Sequence, residues 1–184
     1  SLLVKTLELE ERLAGSKLIN FSLDNIEKDN NNKTWTFNFS GETLPLVDEL
    51  TLLIQKLRES FMGDYVVNYR LKTSNIVTDE QIKEFWKYII LENFSEISQV
   101  LLESILFSEI DVNNNVLTMK IMAPSIWNNF INERKYQIIS SYSNLGIAIK
   151  DIIPNFSKTD VEAVLESQEE KISQEIVKLD EIDK

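Results

Sequence analysis

The chain has 184 residues and is 43% hydrophobic, so it is long enough for one large domain or two small domains with packed cores. Its net charge of −11 disfavours contact with nucleic-acid phosphates and with anionic membranes, because both attract Lys and Arg. The chain has no cysteine, no segment like a signal peptide at its start and no apolar run near the roughly 20 residues that span a bilayer, so we expect a cytoplasmic protein.

The first part of the chain begins with the pattern of a helix and a β-hairpin. Leucines spaced between Leu2 and Leu13 predict a first helix that ends near Gly15. The polar cluster Asp29–Asn32 is typical of a turn, and apolar residues alternate on both sides of it. They are Ile19, Phe21 and Leu23 before the turn, and Trp35, Phe37 and Phe39 after it.

A second helix and a third strand complete this first unit. Pro45 is typical of a helix start, and apolar residues recur with a period of about 3.6 residues from Leu46 to Phe61. Gly63 closes the helix, and alternation through Leu71 predicts the strand. We therefore predict a small domain of order α-β-β-α-β over residues 1–74.

The second unit, residues 75–154, has a different order of elements. Thr78 and Gln81 predict a capping box that starts a helix, and a second helix covers about residues 96–107, with Val100 on its apolar side. A strand follows at residues 116–122. Pro124 opens a long helix that Gly146 ends, and residues 147–152 form a final strand. This α-α-β-α-β order gives the whole chain an α+β fold class.

The last segment, residues 155–184, differs from both units in composition. From residue 157 onwards it has nine acidic and four basic residues, a net charge of −5. Its apolar residues form a thin helical stripe, which predicts a solvated helix or a disordered linker rather than a core element. The stripe consists of Val161, Leu165, Ile172, Ile176 and Leu179.

Two residue types that often carry catalysis, histidine and cysteine, are missing from the sequence. Without histidine and cysteine the chain lacks the commonest general base, thiol nucleophiles and the usual zinc ligands. The spacing of its four glycines excludes a P-loop and a dinucleotide-binding turn, and it has neither Ser-x-x-Lys nor Asp-x-Asp. Glu109 and Asp111 are best interpreted as exposed charges. We predict no catalytic residue, no metal ligand and no cofactor.

Aromatic residues are the remaining candidates for recognition. Basic groups stand beside aromatics in Lys33-Thr34-Trp35 and in Tyr69-Arg70-Leu71-Lys72, as in proteins that stack bases, but the alternation predicts aromatics in the core and basic groups in water. The chain has no Gly-x-x-Gly loop of a KH domain. Phe85, Trp86 and Trp127 fit a core as well, yet large aromatics also anchor interfaces, so they are our candidate partner-binding residues.

The hairpin sequence Lys33-Thr34-Trp35-Thr36-Phe37 resembles the N-terminal region of PolC, the replicative DNA polymerase III α subunit of low-GC Gram-positive bacteria. In that family a strand, a basic residue and a Trp-x-Phe strand precede an acidic amphipathic helix. The helix predicted at Leu46–Phe61 has the same position here. The second unit resembles the next PolC segment. Its strand Leu117–Pro124, followed by Phe130, Tyr136 and Ile139, also resembles the first domain of DnaA and the last domain of the clamp-loader tau subunit.

This resemblance covers about Ser1 to Ile153 and implies a truncated-KH-like fold for the second unit. The relatives with that fold bind proteins rather than nucleic acid, and the acidic stretch looks like the PolC linker before the oligonucleotide-binding domain. The parent polymerase performs template-directed DNA synthesis with 3'-5' proofreading. No segment here resembles its exonuclease, polymerase-histidinol-phosphatase or palm parts, so the resemblance implies no catalytic residue.

Three hypotheses remain open for the function. The first is a non-catalytic, monomeric protein-interaction region of a PolC-type polymerase, which docks to the clamp loader or other holoenzyme subunits and contacts neither nucleic acid nor membrane. The second is a nucleic-acid-binding appendage that positions DNA or primer. The third is a free-standing DnaA-like adaptor.

Overall fold

A computed structural model describes residues 20–60, 63–121, 123–156 and 158–182 of the chain. The predicted helix between Leu2 and Leu13 lies outside these residues. The predicted β-hairpin is confirmed: β1 (Ser22–Asp29) pairs antiparallel with β2 (Thr34–Gly41). In the turn, the Asp29 carboxylate accepts hydrogen bonds from the backbone N–H groups of Asn31 and Asn32, at 2.9 and 3.1 Å.

β1 is shifted along the chain from its prediction at Ile19–Leu23. It runs to Asp29 because its exposed polar residues pair with β2 at the edge of the sheet, where no apolar alternation is needed. Phe21, which belonged to the predicted pattern, is buried just before the strand. Helix α1 (Val47–Ser60) and strand β3 (Val66–Thr73) follow, and β3 lies parallel to β2, which is the central strand.

One face of this first sheet forms a core with α1. The alternating residues of β2 and β3 and the 3.6-residue stripe of α1 bury the same side, because each element must cover one apolar face. The buried residues are Phe37, Phe39, Val67, Tyr69 and Leu71 on the strands and Leu50, Leu53, Ile54 and Leu57 on the helix.

Two helices open the second unit. The capping box is confirmed at α2 (Asp79–Asn93): the Thr78 hydroxyl accepts from the N–H of Gln81, and the Gln81 side chain accepts from the N–H of Thr78 at 2.9 Å. Helix α3 (Gln99–Leu106) begins after Ser98, whose hydroxyl accepts from the N–H of Leu101.

The second sheet has one strand more than predicted. Strand β4 (Ile110–Asn113) pairs antiparallel with β5 (Val116–Ile121), and β6 (Asp151–Phe156) lies parallel to β5. The second unit is therefore α-α-β-β-α-β. The hairpin between β4 and β5 turns at Asn114 and Asn115, both with positive φ, which asparagine tolerates better than most residues.

The long helix of the second unit is composite. It consists of α4 (Pro124–Ile126), a π-helical turn (Trp127–Ile131) and α5 (Asn132–Asn144). The final strand starts at Asp151 instead of residue 147, because its pairing with β5 begins there; Ile147 and Ile149 are buried before the strand. The acidic segment forms one helix, α6 (Lys158–Ile182).

The protein is α+β, and its buried residues form one hydrophobic cluster that includes both sheets. The connector of residues 74–78 joins the two predicted domains, whose boundaries at residues 74 and 154 stay a prediction. Among the residues that the structure describes, none of the helices combines the length and apolar character needed to cross a membrane.

Candidate protein-binding surface

The three aromatic residues selected from the sequence lie in the core. Phe85, Trp86 and Trp127 are 1%, 2% and 8% exposed. The indole nitrogen of Trp86 donates a hydrogen bond to the carbonyl of Ile105, 3.2 Å away, which ties α2 to α3. The expectation that these side chains present a surface to a partner is corrected: they face inward because α2 buries the stripe on which Phe85 and Trp86 lie.

The outer side of α2 and α3 instead carries large apolar side chains that water can reach. Leu91 on α2 is 52% exposed, Val100 on α3 is 78% exposed, and Phe107 at the end of α3 is 72% exposed. Lys87 connects the two helices, since its ammonium nitrogen lies 4.6 Å from the centre of the Phe107 ring. We call Lys87, Leu91, Val100 and Phe107 the α2–α3 surface.

Helix geometry groups these residues in pairs, and the Lys87–Phe107 contact joins the two pairs. Lys87 and Leu91 are four residues apart and share one face of α2, while Val100 and Phe107 are seven apart and share one face of α3. The prediction that Val100 lies on the apolar inner side of α3 is wrong. Ile105, which is fully buried, marks the inner side, and Val100 faces away from it.

A shallow groove of about 520 Å³ extends from this surface towards α1. Lys87 belongs to both features, and Leu46, 56% exposed, adds a further apolar side chain at the α1 end. The remaining lining residues are Val47, Asp48, Lys83 and Glu84. The combination of apolar side chains with a rim of both charges is typical of protein-binding surfaces.

Ion pairs involve Lys83 of the groove and residues of the second sheet. Lys83 lies 3.5 Å from Glu80 and 3.8 Å from Asp111, and Lys120 lies 3.4 Å from Glu109. Glu109 and Asp111 thus belong to exposed ion pairs, in agreement with their interpretation from sequence. Exposed pairs of this kind contribute little to stability, about 0–1 kcal/mol each.

A polar cavity of about 60 Å³ lies where the first sheet meets α2 and α5. The hydroxyls of Tyr69 and Tyr88 are 2.5 Å apart, and Arg58 makes two hydrogen bonds to Glu92, at 3.2 and 3.0 Å. Burial raises the pKa of Tyr88 to about 12 and raises the pKa of Tyr69 as well, so both stay protonated near neutral pH. The two hydroxyls bond to each other and the Glu92 carboxylate is paired with Arg58, so we interpret this arrangement as structural.

The aromatic residues that stand beside basic groups contact their own chain. Trp35 is partly buried, and the Lys28 ammonium lies 5.1 Å from its ring and 5.0 Å from that of Tyr65. Tyr69 is buried, and Arg70 lies 3.4 Å from Glu27. In the described part of the chain, no group of three acidic residues is placed to hold a metal ion.

The α2–α3 surface was missed from sequence because periodicity alone does not say which neighbour covers a helix face. No protein-family model matches the chain, and the search of curated proteins finds no similar sequence.

Proposed function

We propose that the chain is a non-catalytic protein-interaction region at the N-terminus of a PolC-type replicative DNA polymerase in the cytoplasm. The parent enzyme would perform template-directed DNA synthesis with 3'-5' proofreading. The partners are the clamp loader or other holoenzyme subunits, and the chain itself is a monomer. The hairpin and strand motifs that resemble PolC support this identity, and the absence of histidine and cysteine supports a non-catalytic role.

The observation that carries the binding role is the exposure of Leu91, Val100 and Phe107 on two helices that the Lys87–Phe107 contact joins. Contiguous apolar side chains on a protein surface commonly mark a contact with another protein. Phe107 is the natural anchor, because a large aromatic that becomes fully buried gains the most from leaving water.

The test uses purified clamp-loader and holoenzyme subunits from the source organism, with binding to the full chain measured by titration calorimetry. Phe107→Glu and Val100→Glu should each weaken binding about tenfold or more, since they place an unpaired charge in an apolar contact. Val66→Glu is the matched control: Val66 is 60% exposed on β3 of the first sheet, so the same change should leave affinity unaltered.

Equal affinities for Val100→Glu and Val66→Glu would contradict binding through the α2–α3 surface. Titration with single-stranded DNA distinguishes the alternative function. Tight binding that weakens steeply as salt rises would show phosphate contacts and would favour an appendage that positions DNA.

A further inference from the structure

Helix α6 carries a second exposed apolar face. Ile172, Ile176 and Leu179 are 57%, 54% and 63% exposed. Their spacing of four and three residues places them on one stripe of the helix. At 25 residues the helix is about 37 Å long, enough for an extended contact.

The part of the chain that the structure describes leaves this stripe exposed. From Gln168 to Leu179 every side chain of α6 is exposed. Helices in proteins gain most of their stability by packing an amphipathic face, and an isolated helix is marginal in water. The stripe therefore offers apolar area that an incoming surface can bury.

Charges beside the stripe indicate which surface fits it. Glu169 lies three residues before Ile172 and Glu175 three residues after it, which places one carboxylate on each side of the stripe. From Glu169 to Glu181 the helix has five acidic and two basic residues, a net charge of −3. A second copy of α6 would bring glutamates against glutamates, and phosphates or anionic lipids would be repelled in the same way.

We propose that α6 is a docking helix for a partner protein whose apolar groove is rimmed by Lys and Arg. The stripe lies in the groove, as in other helix-in-groove complexes, and Glu169 and Glu175 face the basic rim. Opposite charge at the rim selects against acidic surfaces and accelerates association.

The probe is a synthetic helical peptide with a leucine stripe flanked by lysines, titrated into the full chain and followed by fluorescence anisotropy. Ile176→Gln should weaken binding about tenfold, whereas Ile176→Leu, which keeps an apolar side chain, should retain the original affinity. Val177→Gln is the matched control, since Val177 is 56% exposed but lies about 100° around the helix from Ile176. Circular dichroism of each variant checks that α6 stays helical.

Equal loss in Val177→Gln and Ile176→Gln would overturn the proposal, as would a failure of the lysine peptide to bind. If a peptide with glutamates in place of the lysines bound equally well, the partner's groove would not need a rim of Lys and Arg. Self-association of the chain in sedimentation equilibrium, abolished by Ile176→Gln, would make a second copy the occupant instead. Phe107→Glu should leave peptide binding unchanged, because the α2–α3 surface is a separate element.

Discussion

Trp86 lies in the core at the contact between α2 and α3, and Phe107 lies on the outer side of the same two helices. Trp86→Ala should lower the free energy of unfolding by about 3–5 kcal/mol, because it leaves a cavity and removes the indole hydrogen bond to the carbonyl of Ile105. Phe107→Ala should lower it by less than about 1 kcal/mol, since it removes an exposed ring and one cation–π contact.

Urea denaturation of the two variants, followed by circular dichroism, measures both changes. The comparison separates packing from recognition, because both variants remove one aromatic side chain from the same pair of helices. A loss for Phe107→Ala as large as that for Trp86→Ala would mean that Phe107 is a core residue and would contradict the α2–α3 surface as a binding site.

At the level of single residues, sequence periodicity identified apolar positions better than it identified their environment. Phe85 and Trp86 were assigned to an apolar face of α2, and the structure buries that face. Val100 stands in one apolar run with Leu101 and Ile105, which predicts a single apolar side for α3. Which of them points inward depends on the packing of α3 against α2, a tertiary contact that the local pattern does not contain.

The start of α2 depends on the reciprocal hydrogen bonds between Thr78 and Gln81. Thr78→Ala should lower the free energy of unfolding by about 1 kcal/mol, because the backbone N–H of Gln81 loses its side-chain acceptor. Thr51→Ala is the matched control, since Thr51 lies exposed within α1 and bonds only to the carbonyl of Val47, where alanine favours the helix.

Thermal and urea unfolding of both variants give the two differences. If Thr51→Ala lowered the free energy of unfolding as much as Thr78→Ala, the loss would come from removing any threonine hydroxyl and not from removing the helix cap. The capping box could be predicted from sequence because all of its atoms lie within four consecutive residues.

Elements that depend on distant pairing were harder to predict. Strand β4 has only four residues, of which Asp111 and Asn113 face water, so its alternation is too short to stand out. It exists because β5 supplies a partner across the Asn114 and Asn115 turn. The register of β6 likewise follows from its pairing with β5. Ile147 and Ile149 are buried before the strand begins, so their alternation did not mark its start.

Across the whole molecule, side chains of the first unit contact side chains of the second. Tyr69 of the first sheet bonds to Tyr88 of α2, and Arg58 of α1 pairs with Glu92 of α2. The buried residues form one cluster through both units. A single core of this kind favours cooperative unfolding, in which the two units lose structure together.

Gly146 tests that cooperativity, since it belongs to the second unit and touches the first. Its φ of +77° disfavours any side chain, and a Cβ atom there would lie 2.9 Å from the backbone oxygen of Leu71 on β3. Gly146→Ala should therefore lower the free energy of unfolding by about 1–3 kcal/mol. The effect should reach both sheets, because relief of the clash requires β3 and the end of α5 to separate.

Native-state hydrogen exchange measures this outcome by comparing amide protection in β2 with that in β5. In Gly146→Ala both strands should lose protection by the same free energy, because opening of the shared core exposes both. Loss in β5 with β2 unchanged would mean that the units unfold independently, as two domains divided at residue 74 would do. The clash with Leu71 would then be absorbed by local movement of the loop after α5, and the continuous core would contribute packing without cooperativity.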